Sequence, residues 1–194
     1  RVQGKMFLER VGLFNSADFG FTFGGLLGGE MDETFQKNVS SQYPGKYGSF
    51  AFGVYNGAGY HALEKNQNKT IEGRLTVRPL PGTFPGLQIA YNIIYGKGNI
   101  EAEPDFTVNS GFLSYEHKDF TLTAQYYKGR GNSKGSYINT TGKAINTNGY
   151  SLFGEYRIPK TKFSIFSRYD KFIPENNALI ESKMLNTRQF MRLL

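Results

Sequence analysis

Polar and apolar side chains alternate along much of the chain, most clearly from Gly149 to Phe172. Successive side chains of a β-strand point to opposite faces, so a period of two residues predicts strands. Two alternating stretches flank Pro159-Lys160-Thr161, which predicts a hairpin with a tight turn. Each stretch has about ten residues, the length that a tilted strand needs to cross a bilayer.

Aromatic side chains bracket the apolar face of this hairpin. Tyr150 and Tyr169 are predicted to lie level at its open end, and Tyr156 and Phe163 level near its turn. Aliphatic and small residues fill the space between the two pairs. An apolar band between two aromatic rows is typical of a transmembrane β-barrel, whose rings lie at the membrane–water interfaces. The alternative is a hairpin of a soluble β-sandwich, with its apolar face in a core.

The same alternation predicts strands elsewhere in the chain. They cover residues 17–27, 47–55, 69–80, 86–95, 106–116 and 120–127, with a last strand from residue 186. Residues 1–16 have no clear pattern, and residues 28–46 are predicted to form a polar loop or a short helix. The sequence therefore predicts one all-β domain.

Connection lengths alternate along this series of strands. Long connections are predicted at 56–68, 97–105, 129–148 and 173–185, and short ones near 79–86, 117–119 and 159–161. Outer-membrane barrels have short turns at one end and longer loops at the other, whereas a sandwich has no reason to sort its loops by end. Residues Tyr95 and Tyr126 would join Tyr150 and Tyr169 in one interface ring. The pattern favours an antiparallel up-and-down transmembrane β-barrel.

Composition agrees with strands and excludes other classes. Hydrophobic residues make up 39% of the chain and aromatic residues 15%, and no run of eighteen apolar residues predicts a transmembrane helix. The absence of cysteine excludes disulfides and thiolate chemistry. The chain begins without Met or an apolar signal sequence and ends within an alternating stretch, so we expect an internal fragment of a longer protein.

Charged side chains are predicted to occupy the inward face of the strands. The inward charges are Arg74, Arg78, Arg157, Arg168, Lys162, Glu72, Glu155 and Asp170. In a barrel this face is the wall of the lumen, where charges bias ion passage. In any sheet it is also a solvated face with weak ion pairs. Arg74 and Arg78 are expected to form a vertical pair.

The longest loop, 129–148, adds basic residues at the mouth of such a channel. These are Arg130, Lys134 and Lys143. Five of the eight inward charges are also basic, which predicts a modest anion preference. The glycine-rich stretch in this loop lacks the ending of a phosphate-binding loop and is predicted to be mobile.

Three segments are similar to a known family: VYNGAGY at 54–60, GRLTVRPL at 73–80 and SRYDKF at 167–172. With the sequence around them, from about residue 17 to 177, they resemble the phosphate-selective porin O/P family of bacterial outer-membrane porins. The resemblance implies a barrel of sixteen or eighteen strands in the outer membrane of a Gram-negative bacterium. It also implies a homotrimer that carries small hydrophilic or anionic solutes. The family's arginine ladder and constriction loop are not assigned to residues here, and the 28–46 connection is longer than the family pattern.

The expected function is therefore passive diffusion through a water-filled channel, with no reaction, cofactor or metal. Glu155 and Asp170 are a poor acid–base pair, since Arg157 and Arg168 would keep both ionised. Neither histidine is on a predicted strand, and the scattered basic residues form no nucleic-acid patch. The rival interpretations are an outer-membrane barrel enzyme or adhesin, and a soluble β-sandwich that binds carbohydrate.

Overall fold

One antiparallel sheet of eight strands organises the chain in a computed structural model that describes residues 5–15 and 17–175. Each strand pairs with the next one in sequence, from β1 to β8. The strands are β1 (Gly20–Leu27), β2 (Gly48–Tyr55), β3 (Thr70–Val77), β4 (Leu87–Lys97), β5 (Asp105–Glu116), β6 (Phe120–Arg130), β7 (Asn146–Arg157) and β8 (Ser164–Pro174). Within the described residues, β1 and β8 are each paired on one side, so the sheet is open. The predicted all-β, up-and-down order is confirmed.

Two short helices accompany the sheet. Helix α1 (Phe7–Arg10) precedes β1, and helix α2 (Glu33–Asn38) lies between β1 and β2. In the described part of the chain, neither helix is long and apolar enough to cross a membrane. Residues 28–46, predicted as a loop or short helix, contain α2. The predicted strand from residue 186 lies outside the described residues.

The two ends of the sheet differ in the length of their connections. At one end, which we call the long-connection end, lie the loops 56–69, 98–104 and 131–145. At the other, the short-connection end, lie the segments 78–86, 117–119 and 158–163, together with the longer segment 28–47. The predicted sorting of connection lengths holds only in part, because 78–86 has nine residues and 98–104 has seven, and 28–47 is the longest connection between the described strands.

The sheet has an outer face of exposed apolar side chains and an inner face whose side chains are mostly buried. Outer-face residues include Phe21, Phe52, Leu75, Ile89, Ile93, Leu113, Leu122, Leu152 and Ile165, each of them exposed. Neighbours on the same strands, such as Thr76, Ala90, Ser114, Thr121 and Ser151, are buried. The predicted alternation of facing is thus observed, because a strand sends every second side chain to one side.

The β7–β8 hairpin follows the predicted pattern with a different register. Lys171, and not Tyr169, lies opposite Tyr150, so the two tyrosines are diagonal neighbours with ring centroids 5.8 Å apart. Phe163 is displaced from Tyr156 in the same way. The prediction that these pairs are level is wrong, because the turn is centred one residue later than expected. A register change of two residues leaves every side chain on its predicted face.

Candidate functional site

The inner face is polar over much of its area although it is buried. Its buried polar residues include Ser49, Thr76, Ser110, Ser114, Thr121, Gln125, Thr147, Ser151 and Glu155. Gln125 donates a hydrogen bond from Nε2 to Ser110 Oγ at 2.9 Å. A soluble domain buries apolar side chains and keeps most charged and amide side chains in water. The sheet therefore has the reverse polarity, with an apolar exterior and a polar interior.

Segment 5–15 lies across the inner face near the long-connection end. Phe7, Leu8 and Leu13 are almost completely buried there, in a cluster with side chains from β4, β5 and β6. Phe7 contacts the ring of Tyr127 edge to face, with centroids 5.7 Å apart. Apolar burial of this kind contributes roughly 1.5–3 kcal/mol for each large side chain. The segment is consequently packed into the inner face.

Ionic contacts from β8 hold the start of this segment. Arg168 donates from Nη1 to the carbonyl oxygen of Lys5 at 2.8 Å and from Nε to Asp170 Oδ1 at 2.9 Å. Asp170 also pairs with Arg10 at 3.3 Å. Arg168 and Asp170 do lie on the inner face as predicted, but they bind each other and segment 5–15. Their charges are largely compensated within the protein.

The loop 131–145 holds the far end of the same segment. Asn132 donates from Nδ2 to the carbonyl oxygen of Gly12 at 3.0 Å, and its Oδ1 accepts two backbone N–H groups of its own loop. Tyr137 donates its hydroxyl hydrogen to the carbonyl oxygen of Val11. Burial raises the pKa of Tyr137 to about 12, so this phenol remains a donor at neutral pH. Residues that were predicted to form a mobile loop are thus folded against segment 5–15.

The predicted mouth residues are not equivalent. Arg130 is the last residue of β6, and its Nη1 lies 3.2 Å from Asp105 Oδ2. Asp105 is also 2.7 Å from Lys97, so it compensates two cations at this end. Lys134 and Lys143 are exposed on the loop. Exposed pairs of this kind contribute little to stability, but they reduce the positive field of the rim.

Segment 28–47 enters the inner face from the short-connection end. Asp32 caps α2 by accepting a hydrogen bond from the backbone N–H of Phe35 at 2.9 Å. Phe35 is buried on the inner side of the helix. Beyond α2 the chain continues to Tyr43, whose ring lies over the guanidinium of Arg74 at 3.9 Å from the ring centroid. The segment therefore covers part of the inner wall.

Arg78 has a structural environment that the strand pattern did not predict. It follows the last residue of β3, is 2% exposed, and lies 4.9 Å from the ring centroid of Phe35. Its Nε donates to the carbonyl oxygen of Gly45 at 3.2 Å and its Nη1 to that of Pro85. The expectation of an accessible vertical pair with Arg74 is therefore corrected. Arg78 joins segment 28–47 to the β3–β4 turn and is shielded from the inner wall.

Arg74 remains half-buried on the inner face of β3. Its Nε is buried without a hydrogen-bond partner in the described structure. Cavities of about 240 Å³ and about 440 Å³ lie on its two sides, and Met6, Tyr43, Arg74 and Asn92 border both. These four residues therefore form the partition between the cavities. Sequence reasoning singled out Arg74, whereas Tyr43 and Met6 were missed; the unexpected length of 28–46 was the available signal.

The remaining predicted wall charges are placed as follows. Glu72 is on the inner face and lines the larger cavity. Glu155 is buried on β7, 4.0 Å from Arg157. Arg157 donates to the carbonyl oxygens of the β5–β6 turn and, from Nη2, to Thr121 Oγ1 at 2.7 Å. Lys162 lies in the exposed turn before β8, outside the strand in which it was predicted. None of these basic residues lines either cavity.

The predicted interface aromatics lie on the outer face or its rim. Tyr95, Tyr126, Tyr156, Phe163 and Tyr169 are exposed, and Tyr150 is half-buried beside Tyr169. The described residues contain no group of three or more metal-ligating side chains. Comparison of the chain with protein-family models, curated proteins and solved structures finds no match.

Proposed function

We propose that this chain is part of a porin in the outer membrane of a Gram-negative bacterium, where it helps to form a water-filled channel for small hydrophilic solutes. The observation that carries the proposal is the reversed polarity of the sheet. Exposed apolar side chains cover the outer face, and serine, threonine, glutamine and charged side chains occupy much of the inner one, beside the apolar cluster that packs against segment 5–15. Strands of a transmembrane barrel alternate in this way because one face meets lipid and the other meets water.

A row of tyrosines near the long-connection end, which we call the upper row, crosses the strands obliquely and supports a tilted sheet. It consists of Tyr95, Tyr126, Tyr150 and Tyr169. Tyr95 is level with Arg130 through the strand register, four residues nearer the long-connection end than Tyr126. Tyr126 is paired with Tyr150, and Tyr169 lies two residues further towards the short-connection end. From β4 to β8 the row shifts by six residues along the strands, which is about 20 Å. Over the same distance it crosses four spacings between neighbouring strands, which is about 19 Å. The row thus crosses the strands at about 45°, close to the tilt of membrane strands.

A lower row follows the same course near the short-connection end. Phe120 is paired with Tyr156, while Tyr115 and Phe163 are each displaced by two residues in the direction seen for the upper row. On β6, β7 and β8 the aromatic of one row lies six residues from that of the other, which is about 20 Å along a strand. At a tilt of 45° this spacing is about 14 Å along the membrane normal, less than the ~25 Å apolar band of an outer-membrane barrel, so the two rows flank the central part of such a band.

The same proposal gives a pathway. Solutes would pass along the inner face between segments 5–15 and 28–47, where Met6, Tyr43 and Arg74 narrow the space. Further strands beyond this chain would close a barrel of sixteen or eighteen strands. Passage is passive, and the width of the channel excludes large solutes. A modest anion preference would rest on Arg74, since the other predicted wall cations are engaged or lie elsewhere.

Planar-bilayer recording from the full-length protein tests this function. The expected result is a stable, ohmic conductance in KCl, with a reversal potential that shows a modest preference for chloride. Arg74→Ser should reduce the preference by more than Lys143→Ser does, because Arg74 lines the cavities and Lys143 is exposed on the loop at the mouth. A protein that is monomeric and soluble without detergent, or that gives no conductance after insertion, would contradict the proposal.

A further inference from the structure

The partition between the two cavities contains an unusual cation. Arg74 is the one basic side chain among the described residues lining either cavity. It has no ion pair in the described structure, and its buried Nε has no hydrogen-bond partner. A buried donor without a partner is costly. The two terminal Nη groups of Arg74 make no hydrogen bond within the described structure, so they are the donors available to a ligand in the cavities that Arg74 lines.

Tyr43 leaves the terminal N–H groups of this guanidinium free to donate. The ring covers the group at 3.9 Å from its centroid, the arrangement of a cation–π contact. Stacking occupies a flat face of the guanidinium, while its N–H groups lie in the plane of that group. Because Nε is buried, the two terminal Nη groups are the pair of donors that can match the two oxygens of a carboxylate.

The backbone of Tyr43 has a conformation that most residues other than glycine avoid. Its φ angle is 51°, in the left-handed region that favours glycine and asparagine. Such conformations persist where surrounding contacts determine them, and they are frequent at ligand sites. Tyr43 is in segment 28–47, which is longer than the other connections at the short-connection end. This segment places the aromatic ring against Arg74.

The surroundings of Arg74 favour a singly charged ligand. Glu116 lines the smaller cavity and Glu72 the larger, and neither cavity has a second cation among its described lining residues. Arg78, the nearest other arginine on the strand, is occupied by carbonyl oxygens. Arg78 also interacts electrostatically with Glu116, so a doubly charged phosphate would meet the single guanidinium of Arg74 and the carboxylate of Glu72. A monocarboxylate would be matched by the single guanidinium.

Neutral polar groups complete the smaller cavity. Gln88, Asn92 and Ser114 line it together with Arg74. Amide and hydroxyl side chains both donate and accept hydrogen bonds, so they complement the hydroxyl groups of a solute. The cavity of about 240 Å³ is below the ~300–1,000 Å³ of sites for drug-sized ligands, which limits the occupant to a small molecule.

From this geometry we propose that Arg74 and Tyr43 form a binding site for small hydroxylated monocarboxylates within the pathway. The proposal rests on the proposed channel, since the site needs solute access from water. The two terminal Nη groups of the guanidinium bind the carboxylate, and Gln88, Asn92 and Ser114 contact the hydroxyl groups. Transient binding at this point would favour such acids over inorganic dianions of similar size.

Calorimetric titration of the detergent-solubilised full-length protein with lactate tests the site, and phosphate at pH 8 is the comparison ligand. Lactate should bind at least about fivefold more tightly than phosphate. Arg74→Gln should weaken lactate binding by about tenfold to a hundredfold, because it removes a charge-assisted bidentate contact. Arg74→Lys should recover little of it, since a lysine is a point charge without the planar edge. Lys143→Gln removes the same charge from a distant loop and should leave binding unchanged.

Variants of Tyr43 separate the ring from the backbone. Tyr43→Asn accepts the left-handed backbone but lacks the ring, and it should weaken lactate binding, whereas Tyr43→Phe should retain it. Tighter binding of phosphate, or equal effects of Arg74→Gln and Lys143→Gln, would overturn the proposal. Bilayer recording of the same samples distinguishes the two ideas. Conductance without lactate binding would remove the site and keep the channel, and lactate binding without conductance would do the reverse.

Discussion

Replacing Leu122 by Arg tests the outer face at a position between the two aromatic rows. Leu122 is 52% exposed and lies between Phe120 and Tyr126 on β6. If the outer face meets water, the change replaces one exposed side chain by another and should alter stability by no more than about 0.5 kcal/mol. If it meets lipid, an arginine is placed in hydrocarbon.

The expected cost follows from the depth of the residue. Leu122 lies four residues from Tyr126, about 13 Å along the strand, or about 9 Å below the upper row at a tilt of 45°. It is two residues from Phe120, about 5 Å above the lower row on the same reckoning. Leu122 is therefore about 2 Å from the midpoint between the two rows, where the cost of an arginine is about 2–4 kcal/mol. Thr123→Arg, one residue away on the inner face, should cost about 1 kcal/mol or less.

The assay is a denaturant titration of the full-length protein folded into lipid vesicles. Both variants must insert, as judged by protease protection, before their free energies of unfolding are compared. Equal costs for Leu122→Arg and Thr123→Arg would refute the assignment of faces. A cost below about 0.5 kcal/mol for Leu122→Arg would place the outer face in water.

Tyr91→Phe should destabilise the membrane-inserted protein by about 1–2 kcal/mol, because it removes the 2.8 Å hydrogen bond from Tyr91 to Asn109 Oδ1 on the outer face. If the free-energy changes of Tyr91→Phe and Asn109→Leu simply add in the double variant, the two side chains do not interact. Lys160→Gly should stabilise by about 0.5–1 kcal/mol, since Lys160 follows Pro159 in the turn at φ 63°, and an unchanged urea midpoint would show that this strain is absent. Asn132→Ala should lower the free energy of unfolding by about 2–3 kcal/mol, because it removes the hydrogen bond to Gly12 of segment 5–15. It should also raise the single-channel conductance, and a loss of stability with unchanged conductance would mean that the segment stays in place.

Strand parity was predictable because it depends on local geometry. A period of two residues fixes which side chains share a face, so Leu122 and Thr123 were assigned to opposite faces from the sequence alone. The tight turn after Ile158 was also predictable from Pro159. The centre of the turn was not predictable, because the residue with positive φ is Lys160 and residue type does not mark a lysine for that conformation. The resulting change of register by two residues preserved the faces.

The state of each inward charge was not predictable from parity. Arg74 and Arg78 share a face by spacing, yet Arg78 is buried by contacts with Gly45, which is 33 residues away, and with Pro85 in the following turn. Arg168 is likewise used to bind Asp170. A pattern of alternation specifies the direction of a side chain, whereas its partners depend on connections that fold back over the sheet.

Composition was a poor guide to the loop 131–145. Its glycine, serine and asparagine residues are typical of mobile loops, but the same residues make compact hydrogen-bonded turns. Asn132 accepts two backbone N–H groups, and Gly131 and Gly135 adopt positive φ. The buried Tyr137 and Ile145 were the apolar positions that could have indicated packing.

The central claim, that the outer face of this sheet meets lipid, is tested most directly by a spin-label scan of β7. These 194 residues contain no cysteine, so single cysteines can be placed from Tyr150 to Tyr156 and labelled in vesicles, in the full-length protein with any cysteine elsewhere replaced by serine. Collision rates with oxygen, which concentrates in lipid, should peak at Tyr150, Leu152, Gly154 and Tyr156 and fall at the residues between them. If collision rates with a polar nickel chelate peak at those four positions instead, the outer face meets water and the account is contradicted.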